Sequence, residues 1–458
     1  MALTQVSTGG VKDDAITKAK IPANQIEASE LADGAVSNAK IASGAVGTNK
    51  LASGAVGSGE IAAGSIVNSN ISSSAAIAGS KLADNTITTA KIADDAITQA
   101  KINVPIINRN LIINGAMQVA QRGTSSTSVG YQTVDRIQTY TNGVDEAPTQ
   151  AQVDVASGTT PYTQGFRKAF KITNGNQTSG AGGADYIIFR HKIEAQNVAN
   201  SGWNYTSTSS FVTLSFWVKA SVAQNYYFSL LSSDGTLQNF PMETGSLTAN
   251  TWTKITKTIP GAANVQFDND NGIGIELDWW PFAGTDYTAN GVALNTWAAF
   301  AAGTRFPNHT STWYTTNDAT FEITGVQLEV SDHATDFEHR SFGQELALCQ
   351  RYYQQYVNPC CTGVIPDNGS KAYSIGLQFQ TRMRAVPTLT IANAGTGGNV
   401  SDGGSTQTIA SLNAADRNVD GASIYLNLNG DLGDFRPACL GLNDSTVNTT
   451  TYKFTADL

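Results

Sequence analysis

Large aliphatic side chains recur at every fifth position through the first hundred residues. The first series is Val11, Ile16, Ile21, Ile26, Leu31, Val36, Ile41, Val46, Leu51, Val56, Ile61, Ile66 and Ile71, and after a step of eleven the second is Leu82, Ile87, Ile92, Ile97 and Ile102. A step of five turns a helical side chain by about 140°, and on a continuous strand it alternates faces. Neither element keeps the series on one side, so each five-residue unit must contain a turn.

Turn-forming residues stand at fixed places between these aliphatic positions. Glycine occupies positions 34, 44, 54 and 64, and Asn85 and Asp95 take the same place in the second series. We therefore predict short extended pieces joined by turns, each of which presents one aliphatic side chain inward.

A strip of this kind is too sparse in apolar side chains to fold alone. Burying one aliphatic side chain stabilises by about 2 kcal/mol, whereas ordering five residues costs about 1 to 2 kcal/mol for each backbone unit. The row must meet other rows, either in three chains wound into a β-structured fibre or in one chain coiled into a square β-helix. Small residues two places before the aliphatics suit the β-helix. The eleven-residue step and the lysines before alternate aliphatics suit the fibre, so we favour a homotrimer.

Beyond the repeats the pattern changes to that of β-strands. Residues 211–220 and 252–259 alternate apolar and polar side chains. Residues 320–330 do the same, with a break at Thr324 and Gly325 that is typical of a β-bulge. These stretches indicate an antiparallel sandwich.

The polar cluster at residues 268–272 resembles a calcium loop only loosely, because Phe267 stands where the first carboxylate ligand belongs. It predicts a hairpin turn instead. Cys349, Cys360, Cys361 and Cys439 form neither a metal-binding pair nor a disulfide framework, so they predict free thiols in a reducing compartment. We expect no metal and no cofactor.

Residues 342–356 carry the convincing helical pattern of the chain. The apolar stripe comprises Leu346, Leu348, Cys349, Tyr352 and Tyr353. We expect the tyrosines to pack this helix onto the sandwich or onto a neighbouring subunit. A second β-domain follows, in which residues 423–430 and 451–458 alternate as strands and Pro387 marks an edge or a strand start.

Several phrases resemble a domain common in phage tail and fibre proteins. The first is INRNLIINGAMQVAQRGTSSTSVGYQTVDRIQTY at residues 107–140. The more specific ones are FEITGVQLEV at 321–330 and TDFEHRSFGQELALCQRYYQQY at 335–356, and LQFQTRMRAVPTLTI at 377–391 resembles the strand phrase that follows the helix. The resemblance implies a virion fibre with a jelly roll like those of carbohydrate-binding modules.

Together these features predict a mainly β protein with a repetitive β-fibre stalk, a jelly-roll β-sandwich, one helix and a C-terminal β-sandwich. The expected segments are a virion-attachment segment at 1–10, the repeat stalk at 11–104, the jelly roll at 105–342, the connecting helix at 343–357 and the C-terminal tip at 358–458.

Charge and hydropathy exclude several partners. Charged residues make up 14 % of the chain, and the net charge is −9 without a clustered Lys/Arg surface, so we expect no nucleic-acid binding. The first ten residues do not resemble a signal peptide, and no stretch approaches the ~18 apolar residues of a membrane span. We expect a virion protein, assembled in the host cytoplasm, whose N-terminus meets tail or baseplate proteins.

The expected receptor is a host surface polysaccharide or lipopolysaccharide. Sugar sites combine aromatic rings with polar side chains, and residues 276–291 gather both. The candidate glycan-binding residues are Asp278, Trp280, Asp286 and Tyr287. Because adjacent tryptophans on a strand face opposite ways, only one of Trp279 and Trp280 can line a site.

Two other functions compete with receptor binding. The first is a capsid or baseplate decoration fibre without a receptor role. The second is a glycan depolymerase, which needs two carboxylates about 5 to 9 Å apart. Glu276 and Asp278 share a strand face, but no nucleophile motif accompanies them. We therefore predict no catalytic residue and no enzyme.

Overall fold

The computed structural model describes residues 17–21, 23, 26–47, 50–56, 59, 61–72, 74–75, 108–357, 361–364, 371–374, 376–392, 399–401, 406–430, 437–441 and 451–458. The chain divides into two compact units, Met1–Ala96 and Ile97–Leu458. The predicted attachment segment, the second aliphatic series and the predicted end of the stalk at residue 104 lie outside the described residues.

Turns follow one another at intervals of five along the described repeats. Each is closed by a backbone hydrogen bond to the carbonyl three residues earlier, as from Lys40 to Ser37 at 2.8 Å and from Ala45 to Ala42 at 3.0 Å. In alternate turns glycine adopts φ between +74° and +81°, a left-handed conformation that costs other residues more. The predicted turns at Gly34, Gly44, Gly54 and Gly64 are confirmed.

The aliphatic side chains of these repeats remain exposed within a single chain. Their exposed fractions run from 38 % at Ile21 to 57 % at Ile66. A closed β-helix would direct the same side chains into its own interior. Within the described residues of 17–75, a single chain therefore does not bury its own row of aliphatic side chains.

The second unit begins with two six-stranded antiparallel sheets. Their strands are β1 Ser125–Ser126, β2 Ile137–Asn142, β3 Thr149–Asp154, β4 Lys168–Thr173, β5 Tyr186–Glu194, β6 Phe211–Ala220, β7 Asn225–Ser232, β8 Gln238–Ser246, β9 Thr253–Pro260, β10 Ile273–Ala283, β11 Ala298–Ala299 and β12 Thr320–Glu329. The first sheet has the order β1-β3-β4-β12-β6-β9, and the second β11-β8-β7-β10-β5-β2. Short helices lie in the connections: α1 Thr160–Thr163, α2 Ala195–Ala199 and α3 Thr312–Thr315. The predicted mainly β jelly-roll sandwich is confirmed.

The inner faces of both sheets share one apolar core. Phe216 of β6, Phe189 of β5 and Leu277 of β10 are buried in it. Phe189 stacks on Trp279 with ring centroids 5.3 Å apart, and Phe216 meets the same tryptophan edge to face at 5.7 Å. Interlocked rings of this kind hold the two sheets in one arrangement.

The predicted bulge is present in β12. The register of β12 against β6 shifts between Thr324 and Gln327, and Gly325 between them has φ +63°. A Cβ atom at Gly325 would lie 2.6 Å from the Phe166 ring, so a larger residue would collide with the core. The predicted strand at residues 211–220 coincides with β6.

The polar cluster at residues 268–272 is not a hairpin turn, contrary to the prediction. It joins β9 to β10, and these strands belong to different sheets. The Gly272 N–H donates to Asp270 Oδ1 at 2.8 Å, and Asn271 Nδ2 donates to the Arg384 carbonyl at 2.6 Å. The local sequence indicates a turn, but it does not show which strands the turn joins. That depends on how each strand pairs with segments far along the chain.

The predicted helix is shorter than expected, with nine residues instead of fifteen. Helix α4 spans Phe342–Gln350 and begins with a capping box between Ser341 and Gln344. The chain then continues as strand β13, Tyr353–Val357, which pairs with β22, Thr451–Thr455. The prediction of a helix over 343–357 is therefore wrong beyond residue 350.

The tyrosines explain this change from helix to strand. Tyrosine favours strands, and the backbone of β22 supplies hydrogen-bond partners that a longer helix would forgo. The ring of buried Tyr352 also packs under the guanidinium of Arg136, whose Cζ lies 3.5 Å from the ring centroid. Leu348 of the predicted stripe is 37 % exposed. The buried face of the helix therefore contains fewer residues than the apolar stripe in the sequence predicts.

The remaining strands form two further sheets. They are β14 Cys361–Val364, β15 Lys371–Ser374, β16 Leu377–Gln378, β17 Thr388–Ala392, β18 Asn399–Ser401, β19 Thr406–Arg417, β20 Gly421–Leu428 and β21 Pro437–Gly441. The orders are β13-β22-β17 and β15-β14-β21-β18-β19-β20-β16. Pro387 immediately precedes the edge strand β17, as predicted.

Within the described ranges no helix has the length and hydropathy that a membrane span requires. In the same ranges, no three His, Cys, Asp or Glu side chains are grouped so that they could hold a metal ion. Cys349 is a buried free thiol. The side chains of the other three cysteines lie outside the part of the chain that the structure describes.

Candidate functional site

Strand β10 separates the two faces of the second sheet. Leu277 and Trp279 belong to the sandwich core, whereas Trp280 belongs to a separate cluster on the outer face. Asp278 lies on the same outer face because side chains alternate along a strand. The prediction that Trp279 and Trp280 point in opposite directions is confirmed.

Polar side chains cross this outer face in one line. Arg190 of β5 pairs with Gln138 of β2 on one side and with Asp278 of β10 on the other. Asp278 in turn pairs with Ser229 of β7. Residues directly opposite in antiparallel strands project to the same face with Cβ atoms about 5 Å apart. We call Gln138, Arg190, Asp278 and Ser229 the polar row.

Every member of the polar row has a buried polar atom without a hydrogen-bond partner in the described part of the protein. These atoms are Gln138 Oε1, Arg190 Nε, Asp278 Oδ1 and Ser229 Oγ. Arg190 Nε lies 3.2 Å from Asp278 Oδ1, but the two are not aligned as a hydrogen bond. An unsatisfied buried polar atom costs about 1 to 3 kcal/mol. Arg190 Nε and Asp278 Oδ1 are ion-pair partners, so Gln138 Oε1 and Ser229 Oγ are the two atoms of the row that lack any polar partner among the described residues, and ordered water could satisfy them.

Charges in the polar row neutralise one another. Arg190 Nη1 donates to Glu276 Oε2 at 2.7 Å, and Arg190 Nη2 and Arg305 Nη1 each donate to Asp278 Oδ2 at 3.4 Å. Burial raises the pKa of Asp278 to about 6, and Arg190 and Arg305 oppose the shift while Glu276 adds to it. Two guanidinium groups and two carboxylates therefore lie together on this face and largely balance in charge.

Two half-buried tyrosines flank the polar row. Tyr140 stands two residues after Gln138 on β2, and the Arg190 guanidinium lies 4.6 Å from its ring centroid. Tyr227 stands two residues before Ser229 on β7 and is also half-buried. Aromatic surface beside hydrogen-bonding groups suits the apolar faces and hydroxyl rims of sugar rings.

A loop at residues 284–310 covers one end of the outer face. Trp280 is 2 % exposed beneath it. Its ring centroid lies 5.6 Å from that of Tyr186, 5.7 Å from that of Tyr287 and 5.6 Å from that of Phe306. Trp280 therefore presents no open ring face in this conformation, unlike the surface position expected for a sugar-stacking tryptophan.

The four predicted site residues do not form one open patch. Asp278 is buried in the polar row, and half-buried Tyr287 packs against Trp280. Asp286 is exposed on the loop, and its backbone N–H donates to the Gly183 carbonyl at 2.9 Å. A role for these four side chains in glycan binding stays a prediction.

Sequence reasoning missed most of the polar row. Gln138, Arg190 and Ser229 come from three strands that are far apart along the chain. The alternation in residues 137–142 could have indicated that Gln138 and Tyr140 share a face. The partners across the sheet depend on strand register, which the local pattern does not contain.

No protein-family model matches the chain, and no curated protein matches it. Part of the chain is similar in structure to the enzymatically active domain of bacteriophage CBA120 tailspike protein 4, at 9 % identity and a TM-score of 0.26, over 48 % of this chain and 21 % of that one. It is also similar to a CBM4 structure, at 15 % identity and a TM-score of 0.25, over 48 % of this chain and 98 % of that one. A third similar structure is TmCBM61 in complex with beta-1,4-galactotriose, at 9 % identity and a TM-score of 0.24, over 49 % of this chain and 99 % of that one. This chain thus spans about a fifth of the tailspike chain.

Proposed function

We propose that the chain is a bacteriophage virion fibre that binds a host cell-surface glycan with the outer face of its second sheet. The observation that carries the binding proposal is the polar row, in which Gln138 Oε1 and Ser229 Oγ are buried without a hydrogen-bond partner among the described residues. Sugar hydroxyls both donate and accept hydrogen bonds, so a glycan at the row can donate to the oxygen of Gln138 and accept from the partly exposed guanidinium of Arg190. Tyr140 would contact its apolar ring face, whereas the ring of Tyr227 is packed against His309 and Phe306.

The fibre assignment is supported by the sequence phrases and the repeats. Residues 107–140 and 321–356 resemble phage tail and fibre proteins. In one chain the aliphatic side chains from Ile21 to Ile71 are between 38 % and 57 % exposed. This exposure favours a homotrimer in which the rows of three chains meet. In this proposal the N-terminus is attached to tail or baseplate proteins and the second unit meets the host polysaccharide or lipopolysaccharide.

Binding is favoured over cleavage by the ion pairs of the two carboxylates. Arg190 contacts Glu276 at 2.7 Å and Asp278 at 3.2 Å, and Arg305 contacts Asp278 at 3.4 Å. A glycosidase needs a protonated acid and a second carboxylate free to attack or to activate water. We propose that these carboxylates orient the guanidinium groups and that the chain is not an enzyme.

Each binding site is expected to be weak. A few hydrogen bonds in competition with water and one or two ring contacts leave about 4 to 6 kcal/mol, which corresponds to millimolar to tens of micromolar affinity. Three sites on a trimer raise the effective affinity for a repetitive surface glycan without any new contact.

The test compares two tyrosines that each carry a stacked arginine. The double variant Gln138→Ala, Tyr140→Ala removes part of the proposed site, and Tyr162→Ala is the matched control because Arg167 lies 3.9 Å from its ring centroid. We expect the double variant to bind immobilised host polysaccharide at least about tenfold more weakly, since it loses two contacts of about 1 kcal/mol each. Equal loss in both variants, or no binding by the unmodified protein to any host glycan, would contradict the proposal.

A further inference from the structure

A pocket lies at the β8 edge of the outer face. It encloses about 270 Å³ between Asn239 and Pro241 of β8 and the loop at residues 289–304. Phe240 lies in the sandwich core, so its two neighbours face outward. Pro241 pairs directly with Ser229 of the polar row. The pocket and the polar row therefore lie on the same face of the second sheet.

Asn239 provides this pocket with an unused acceptor. Its Nδ2 donates to the Arg305 carbonyl at 3.2 Å, which sets the orientation of the amide. Its Oδ1 is buried and has no hydrogen-bond partner among the described residues, and the residue is only 5 % exposed. A ligand that donates a hydrogen bond to this oxygen would satisfy it.

The walls of the pocket are uncharged and combine methyl groups with neutral polar side chains. The methyl groups belong to Ala289, Val292, Ala298 and Ala299, and the polar side chains to Asn290, Thr296 and Thr304. A carboxylate-bearing sugar would find no cation among the lining residues, all of which lie within described ranges. A sugar without an apolar substituent would leave the methyl-lined part of the wall uncovered.

We propose that this pocket binds the acetamido group of an N-acetylated amino sugar within the host glycan. The acetamido N–H donates to Asn239 Oδ1, and the acetamido methyl group contacts the Ala289 and Val292 side chains. A pocket of about 270 Å³ suits one such sugar residue rather than an oligosaccharide. The inference rests on the proposed glycan binding and adds which sugar is recognised.

The test uses pairs of methyl glycosides that differ only at C2, with an acetamido or a hydroxyl group, in the gluco and the galacto configurations. Each is titrated into the full chain and followed by ligand-observed NMR. We expect the acetamido member of at least one pair to bind at least about tenfold more tightly, because a hydroxyl analogue cannot fill the methyl-lined space. Ala293→Trp, at an exposed lining residue, should abolish this preference, whereas Ala156→Trp, at an exposed loop residue after β3, should leave it unchanged.

A second variant that fills the pocket, Thr296→Trp, is a control for the case in which Ala293→Trp disturbs the local fold. Equal affinity within every glycoside pair, or a preference that survives both filling variants, would overturn the inference. If host polysaccharide still binds through Gln138 and Tyr140 in that case, the proposed function stands and only the pocket assignment falls. If no glycan binds the unmodified protein, both fall.

Discussion

The repeats and the sandwich treat their apolar side chains in opposite ways. In the sandwich, Phe189 is 0 % and Trp279 1 % exposed, whereas in the repeats Leu51 is 48 % and Val56 50 % exposed. Strands of the sandwich pair with segments far along the chain, so two sheets can enclose one core. The described turns of the repeats are closed by hydrogen bonds between residues three apart, which bring no second apolar row into contact.

Each region is therefore incomplete in its own way. The repeats leave apolar side chains exposed to solvent. Such a surface suits burial against another protein chain, because the hydrophobic effect does not depend on the direction of a contact. The outer face of the sandwich leaves polar atoms of Gln138 and Ser229 unpaired, and such atoms are completed by a hydrogen-bonding ligand or water. The contrast is consistent with the proposed function, in which the first unit assembles chains and the second recognises a glycan.

The largest effect is expected from the triple variant Val46→Ser, Leu51→Ser, Val56→Ser. If these side chains are buried between chains, each change costs about 1 to 3 kcal/mol per chain. Protease should then cleave between residues 45 and 57 while the sandwich stays whole. The control is Ala45→Ser with Ala55→Ser, which alters exposed positions off the aliphatic row. Unchanged resistance of the triple variant would show that the row is not buried.

The next effect concerns the sandwich alone. Phe189→Ala removes a ring that contacts Phe170, Trp279 and Phe321, and it should destabilise the second unit by about 3 to 5 kcal/mol in urea unfolding. Phe342→Ala is the control, since that ring is 56 % exposed and its loss should cost less than about 0.5 kcal/mol. Protection of the repeats from protease should be the same in both variants. Similar destabilisation by the two changes would contradict the assigned core.

The smallest effect is a pH dependence at Asp278. Its pKa is raised to about 6 by burial, against about 3.9 in an unfolded chain. The folded state therefore binds a proton more readily between these values, so acidification from pH 7 toward pH 4 stabilises it, and this contribution is lost above pH 6.

The substitution Asp278→Asn removes this pH-dependent contribution to the free energy of unfolding. The melting temperature of the variant relative to the unmodified protein should rise by roughly 2 to 4 °C between pH 4.5 and pH 8. A difference that is constant with pH for Asp278→Asn would mean that its carboxyl has no raised pKa.

Features with a local cause could be predicted from the sequence. The left-handed turns at Gly34 and Gly44 follow from glycine at a fixed place in each repeat. Strand β6 follows from alternation, and the bulge of β12 follows from Gly325 between two alternating pieces. In each case the information lies within about ten residues.

Features that depend on distant pairing could not be predicted in the same way. The spacing of Tyr352 and Tyr353 fits a helix, but pairing with residues 451–455 converts the segment to a strand. The sequence predicts Asp278 and Trp280 as site residues because they stand in one aromatic and acidic stretch. It does not predict their neighbours Gln138 and Arg190, because only the register of β2 and β5 places them there.

The most direct test of the account is the mass of the full chain in solution. If the aliphatic row of the repeats is completed by two further copies, sedimentation equilibrium at micromolar concentration should give three times the 48.2 kDa of one chain. The triple serine variant should lower that mass or make it depend on concentration. A mass of 48.2 kDa for the unmodified chain would contradict the trimer. It would favour an arrangement in which one chain buries its own aliphatic side chains.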